Sequence, residues 1–371
     1  MKGTVIYYGG FALPDKSASA NRVVSNGKLL EALGYKTIFL GACYDAKHSE
    51  LWQISENMFE EPHPKASKEW IKQILSFSNL KKLADECENL KLVLLYNVPF
   101  ITLVVAKQYF SKMGIEVAYD CTEWTQFTEG SLLKKIFKYA DEFFVRRFAH
   151  KIADKMIVIS KMMEKAYSSD KRILRLPPLV DINDEMWHQP TDKNKNLFTF
   201  CFSGFPEGNK DSLDKVVEAF KKLNQVNTKL KIVGVSEKDF INLYPEIKIA
   251  GYKNIEFLGK QSHKASIKNI LSCDCYIFIR TSDRRNNAGF PTKFVESFTC
   301  GVPIITTDVS DIKEYIDFSD GSVLLENCEI EKIRKSMEDV LKKDKPEKTS
   351  CLRTEFHYEN YKDKAELWLE Q

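Results

Sequence analysis

No apolar run in the sequence approaches the roughly 20 residues needed to span a bilayer. The N-terminus, Met1-Lys2-Gly3-Thr4-Val5-Ile6-Tyr7-Tyr8, lacks the apolar core of a secretory signal and reads as a first strand. Nine cysteines, an odd number at irregular spacing, form no disulfide framework. Free thiols in a reducing cytoplasm are therefore expected. Cys273 and Cys275 share one face of a predicted strand, but no second pair of ligands sits at zinc spacing. No D-x-D follows a strand end, so no required divalent metal and no cofactor are expected. The net charge of +3 is too small to argue for nucleic acid, and no such partner is expected. Gly9-Gly10-Phe11-Ala12-Leu13-Pro14 does not fit G-x-G-x-x-G, which argues against a dinucleotide reductase. There is no short internal repeat and no low-complexity tract.

What is present is the material for two cores. A length of 371 residues suggests two domains, and 43% hydrophobic with 29% charged residues is a globular balance. Short β-branched or aromatic runs at 4–8, 37–40, 92–96, 117–119 and 156–159 alternate with helical patterns. Strands alternating with helices imply a parallel sheet covered on both faces. Leu176-Pro177-Pro178-Leu179-Val180-Asp181 breaks the rhythm, because two prolines forbid helix. The alternation restarts with strands at 198–202, 230–233, 255–258, 276–279 and 303–306. Helices are expected at 211–223, 262–271 and 293–300. This predicts an N-terminal domain over 1–182 and a C-terminal domain over 183–354. A last helix, over 355–371, is expected to pack back on the first domain. Two α/β halves joined by a proline linker suggest a cleft between them.

The most informative stretch runs from Gly289 to Thr306. Gly289, Phe290, Pro291, Thr292 and Lys293 read as a glycine loop entering a short helix, which ends at Gly301 before a strand. Glycine allows backbone to approach a ligand. A helix N-terminus with free N–H groups favours a phosphate. Glu296 lies one turn further in, within reach of a ribose carried by that phosphate. A plain loop–helix–strand unit with an exposed glutamate accounts for the same residues equally well.

The stretch resembles the nucleotide-sugar signature of the retaining glycosyltransferases of family GT4. Ser203-Gly204 followed by Lys210 is similar to that family's loop after the first strand of the second domain. Ile232-Val233-Gly234, Phe257-Leu258-Gly259 and the run 273–279 are similar to its next strands. The resemblance implies a GT-B fold of two Rossmann-like domains facing a central cleft. It implies a nucleoside-diphosphate sugar as donor, with UDP or GDP as carrier, and retention at the anomeric carbon. It assigns Glu296 to the ribose hydroxyls and Lys210 to the diphosphate, as both donor ligand and catalytic cation. It assigns the backbone from Phe290 to Lys293 to the phosphates or sugar. Two departures stand out. Ala288 replaces the usual earlier glutamate, and Phe205 replaces the usual arginine after Gly204. Arg280, Arg284 or Arg285 is expected to supply the missing cation, an exposed basic loop being the plainer reading of the same residues.

The other half is less specific. Gly9 and Gly10 follow the first strand, where amides can face a donor. Asp120-Cys121-Thr122-Glu123-Trp124 follows a predicted strand, so Asp120 and Glu123 are candidates for the acceptor-side base; helix-cap or turn roles fit them as well. Leu133, Ile136, Phe137, Ala140, Phe143, Phe144 and Phe148 form an apolar stripe at helical spacing, surrounded by Lys134, Lys135, Lys138, Arg146, Arg147 and Lys151. It is either a core-facing helix with a solvated basic face or a surface for anionic lipid. The second reading places the chain at the inner face of the cell membrane. The expected acceptor is a hydroxyl of a glycan or of a polyprenyl-linked acceptor in surface polysaccharide synthesis, lipid-linked if the membrane reading holds. The rivals to a transferase are a non-catalytic nucleotide-sugar-binding or scaffold subunit and a GT-B epimerase.

Overall fold

The computed structural model describes residues 1–13, 17–41, 52–60, 77–124, 132–167, 172–191, 194, 196–206, 211–343 and 352–371. They divide into two compact units. The first is Met1–Val180 with His357–Gln371, the second Asp181–Phe356. The chain thus crosses between units at 180/181 and 356/357, against expected junctions at 182/183 and 354/355.

The first unit is built on strands β1 (Gly3–Gly9), β2 (Tyr35–Leu40), β3 (Trp52–Ser55), β4 (Met58–Glu60), β5 (Leu90–Tyr96), β6 (Glu116–Cys121), β7 (Lys155–Val158) and β8 (Ile173–Arg175). Their order is β3-β4-β2-β1-β5-β6-β7-β8, parallel except for the β3–β4 pair. Every residue of β1 is buried, as a strand covered on both faces requires. Tyr7, Phe11, Phe39 and Tyr96 meet edge-on or stacked with ring centroids 6.0–6.2 Å apart. Gly9 closes β1 against β5: a Cβ there would lie 2.4 Å from the Tyr96 carbonyl oxygen.

The C-terminal helix Lys362–Glu370 belongs to this unit, because its apolar face completes the core. Tyr361, Ala365 and Trp368 join the cluster that contains Val5, Leu92 and Leu174. Trp368 Nε1 donates to the Arg172 carbonyl at 2.9 Å. Buried Lys155 donates to the Leu369 carbonyl at 2.7 Å and pairs with Glu116 at 2.8 Å, satisfying the helix end. Val180 and His357 pair in parallel, and Tyr358 N donates to Val180 O at 3.0 Å.

The second unit carries β9 (Phe198–Ser203), β10 (Thr228–Val233), β11 (Ile255–Gly259), β12 (Cys275–Ile277), β13 (Ile304–Thr307) and β14 (Val323–Leu325) in the parallel order β11-β10-β9-β12-β13-β14. Successive strands run outward from β9 on one side and from β12 on the other. The order reverses between these two, which makes them the switch point of the sheet. Ligands of open parallel sheets bind beyond the C-terminal strand ends at that point. Phe290, Phe294, Phe298, Tyr315 and Phe356 pack as one aromatic cluster beneath it.

Asp120 is placed differently from the sequence expectation. It lies inside β6, is fully buried, and its carboxylate is committed within the first unit. Arg22 donates to it through Nη2 at 2.8 Å and Nε at 3.2 Å, the Tyr7 hydroxyl donates to Oδ2, and Asn26 Nδ2 reaches it at 3.4 Å. Burial first, then the adjacent carboxylate, pushes the Tyr7 hydroxyl far above its usual range, so it stays a donor. Arg22 Nη1 also donates to the Leu176 and Pro177 carbonyls at 3.0 and 3.3 Å, so the same ion pair anchors the start of the proline segment. Breaking a buried ion pair on one side leaves an uncompensated charge and costs about 3–5 kcal/mol. Asp120→Ala is accordingly expected to lower the denaturant midpoint of the intact chain by a corresponding amount. An unchanged midpoint would show that Arg22 finds another partner.

Candidate functional site

The switch point of the second unit is held shut by one side chain. The Tyr276 hydroxyl, on β12, donates to the Ser203 carbonyl at 3.1 Å and accepts from the Ser203 N–H at 3.3 Å. The end of β9 is thereby tied to β12. Gly204 then turns with φ +118°, and a Cβ there would lie 2.3 Å from Lys293 Cε. Glycine is needed here both for the backbone and for the lysine.

Lys293 sits in the first turn of the helix Thr292–Thr299, which Pro291 introduces at φ −72°. Phe294 and Val295 N–H bond back to the Pro291 carbonyl. The N–H groups of Thr292 and Lys293 have no hydrogen-bond acceptor among the described residues, the usual state of a helix start that awaits an anion. The Lys293 ammonium lies 4.6 Å from the centre of the Phe202 ring and contacts Asp211 Oδ2. Arg280, two residues beyond the Phe278 ring, donates through Nε to Asp211 Oδ1 at 2.6 Å. Thr307 at the end of β13 holds the Arg280 backbone, its hydroxyl donating to the Arg280 carbonyl at 2.6 Å and accepting from its N–H at 2.9 Å.

These charges shift one another. Burial alone would raise the Asp211 carboxyl, but Lys293 and Arg280 outweigh it and hold the group below its ordinary value. Burial depresses Lys293; Asp211 opposes that and Arg280 adds to it, leaving the lysine below its ordinary value.

One turn into the helix, Glu296 Oε1 meets His263 Nε2 at 2.9 Å, with both side chains under one-fifth exposed. His263 opens the helix His263–Leu271, capped by Ser262, whose hydroxyl accepts from Ala265 N at 3.2 Å. On the other side, the loop before the helix is braced by Ser310. Its N–H donates to Asn287 Oδ1 at 2.9 Å and its hydroxyl to the Gly289 carbonyl.

Residues 183–357 match the family described as glycosyl transferases group 1. The second unit is a group 1 glycosyltransferase domain, and the chain is a glycosyltransferase. Comparison with curated protein sequences finds no match. Among solved structures, the chain is similar to sucrose-phosphate synthase from Thermosynechococcus elongatus, with 12% identity and a TM-score of 0.68 over 91% of this chain and 90% of that one. It is similar to HepE from Anabaena in complex with UDP and glucose, at 13% identity and a TM-score of 0.68 over 99% of each chain. It is similar as well to a putative UDP-N-acetylglucosamine 2-epimerase from Listeria monocytogenes, at 13% identity and a TM-score of 0.59 over 97% and 94%. At such identities the likeness is one of fold. The glycosyltransferase has two α/β units with parallel-stranded sheets, the GT-B fold.

Of the donor residues of this glycosyltransferase, Gly204, Arg280 and Lys293 meet at the ends of β9 and β12, Gly289 is held by Ser310 after β13, and Glu296 by His263 after β11; Phe290, Pro291 and Thr292 lead into the Lys293 helix. Only the backbone of Phe290 can meet a ligand, since its ring is 6% exposed in the aromatic cluster. Lys210 lies outside the described residues. Arg284 and Arg285, the other candidates for the missing cation and alternatively an exposed basic loop, belong to a short helix, Arg284–Ala288, capped by Asp283. Ala288 ends that helix fully buried, so a methyl group fills the position where the family's earlier glutamate is expected. Gly9 is consumed by packing against Tyr96, Gly10 is exposed, and Glu123 is exposed beside segment 125–131, which lies outside the described residues. Sequence reading missed Asp211 and His263, which carry no motif; only their contacts single them out. Among the described residues no three His, Cys, Asp or Glu side chains cluster as metal ligands. Asp274, just before β12, accepts from Thr199 N at 2.9 Å.

Because the folded-state pKa of Asp211 is depressed, its charge adds stability above the ordinary carboxylate range near 4 and loses it as pH falls through the folded value. The stability difference between the native chain and Asp211→Asn should therefore shrink below about pH 4. Urea titrations at stepped pH measure it, and a difference constant down to pH 2 would contradict the ion pairing.

Proposed function

We propose that the chain transfers a sugar from a nucleoside-diphosphate sugar to an acceptor hydroxyl. The observation that carries this is the meeting of the Thr292–Thr299 helix start, Lys293 and Arg280 beside Gly204 at the switch point, with Glu296 one turn further in. The diphosphate would lie against the Thr292 and Lys293 N–H groups and the two cations. The ribose hydroxyls would bond to Glu296, which His263 holds in place. UDP or GDP is the carrier, and UDP is favoured by the likeness to HepE, whose structure holds UDP and glucose.

In the reaction, the bond from the anomeric carbon to the diphosphate oxygen breaks while the acceptor oxygen bonds to the same carbon. We assign the configuration as retained, with the leaving phosphate taking the acceptor's proton. Lys293, Arg280, Lys210 and the helix N–H groups would stabilise the charge that grows on the departing diphosphate. No step in this scheme needs a divalent metal. Asp120 is withdrawn from the acceptor side, since its carboxylate is buried on Arg22; Glu123 keeps that candidacy. Binding without transfer is the reading that Ala288 favours, because the side chain expected to touch the sugar is missing. Release of nucleoside diphosphate from a donor separates the two readings. Glu296→Ala should weaken nucleotide binding by about 1.5–3 kcal/mol, the worth of hydrogen bonds to a charged group. Unchanged affinity in calorimetry would remove the ribose assignment.

The acceptor is proposed to be a polyprenyl-linked glycan of surface polysaccharide, met at the inner face of the cell membrane. What supports this is the helix Leu132–Ile152. Ile136, Phe137, Phe143 and Phe144 are 58%, 60%, 52% and 43% exposed, while the buried face is Val145 and Ala149. Phe144 and Phe148 pack on Phe100, so the stripe is part core contact and part exposed face. Arg146 is turned away, over the Trp124 ring at 5.0 Å, while Lys135, Lys138, Arg147 and Lys151 lie along the same helix. Each basic residue near an anionic surface contributes about 1 kcal/mol, screened by salt. Lys135→Glu with Lys138→Glu should abolish cosedimentation with anionic vesicles at low salt yet spare transfer to a short soluble acceptor. A native chain that never cosediments would rule out docking by this face.

A further inference from the structure

Asp211 was expected to open a helix; instead that helix is Leu213–Leu223, and Asp211 stands two residues before it. It pairs with Arg280 as an isolated antiparallel bridge, and Ser212 N donates to the Ile279 carbonyl at 2.8 Å. Its side chain is 2% exposed. Each oxygen takes one cation, Oδ1 the Arg280 Nε and Oδ2 the Lys293 Nζ. Among the described residues one buried carboxylate therefore faces two cations, and the Glu296 carboxylate also acts on Lys293. The contact uses only Nε of Arg280. Its terminal N–H groups make no hydrogen bond among the described residues, and such a fork matches phosphate geometry.

We infer that Asp211 is the resident counter-anion of the donor site, a positioning residue that keeps Lys293 and Arg280 together at the strand ends and sets how tightly the site takes a diphosphate. This rests on the donor reading above. Two like charges this close repel, and the carboxylate between them lowers the cost of holding both at the strand ends. When donor arrives, its phosphates share the same two cations with the carboxylate. The charge of Asp211 then opposes that of the ligand, so affinity is held down and the nucleoside diphosphate is released after transfer. Thr307 fixes the Arg280 backbone and the helix fixes that of Lys293, so both cations stay near when the carboxylate charge alone is removed.

The test is calorimetric titration of the full chain with UDP, GDP, uridine and guanosine. Asp211→Asn keeps the shape and one acceptor oxygen but removes the charge. It should bind the nucleoside diphosphate about tenfold more tightly than the native chain, the effect of deleting a nearby like charge in a partly solvated site. Affinity for the bare nucleoside should not change. A residue with a merely structural role would leave nucleotide affinity equal or weaker, and that result overturns the inference. Should Asp211→Asn not fold, Arg280→Gln and the pair Arg280→Gln/Asp211→Asn replace it. The pair is expected to bind the diphosphate more tightly than Arg280→Gln alone, and equal binding counts against the proposal. A native chain that binds neither UDP nor GDP brings down the donor reading and this inference together. A native chain that binds one of them, with no gain in the variant, removes this inference alone.

Discussion

A parallel sheet covered by helices on both faces has no wet surface along its strands, so polar chemistry can exist only where the strands end. Both units of this glycosyltransferase obey that constraint. Strands β1 and β9 are buried at every position. The polar groups that matter gather at the carboxyl ends, near Asp120 in one unit and near Gly204, Arg280 and Thr307 in the other. Where the strand order reverses, neighbouring connections leave in opposite directions and the strand ends stand clear of them.

The two units resolve buried charge at these ends differently. In the first, Asp120 and Arg22 neutralise each other one to one, and Tyr7, Asn26 and two carbonyls absorb the remaining hydrogen-bonding capacity. Apart from the buried Asn26 Oδ1, which has no partner among the described residues, this network is satisfied within its own unit. In the second, among the described residues, the Asp211 carboxylate contacts two cations, Lys293 and Arg280, beside the start of the Thr292–Thr299 helix. Positive charge held in place in this way is what the proposed diphosphate would meet.

The same comparison bears on the departures from the family pattern. The arginine usual after the first glycine is absent, with Phe205 in its place, but Arg280, three residues beyond β12, brings a guanidinium to the same end of the sheet. Charge at a strand end can be supplied from either side of the switch point, since both sides converge there. At the position of the missing glutamate stands Ala288. Its position is a buried methyl group, and the helix that ends there is braced by Asp283 and Asn286.

Periodicity and punctuation determined much of this chain. Apolar runs of strand length alternating with amphipathic segments are what a doubly wound sheet demands, and the Pro177-Pro178 break is visible because proline has no N–H to give. Gly204 and the Gly289 to Glu296 stretch were legible because close backbone approach and a helix start leave a local mark. Long-range partners leave none. Nothing in the sequence tells that Asp120 would be drawn into β6 by an arginine 98 residues away, or that Asp211 would bind cations 69 and 82 residues distant. Nor does it tell that the aromatic stripe of the Leu132–Ile152 helix would be left largely outside the core. A side chain's propensity is local, whereas burial and charge pairing depend on which strands become neighbours, and only the folded sheet decides that.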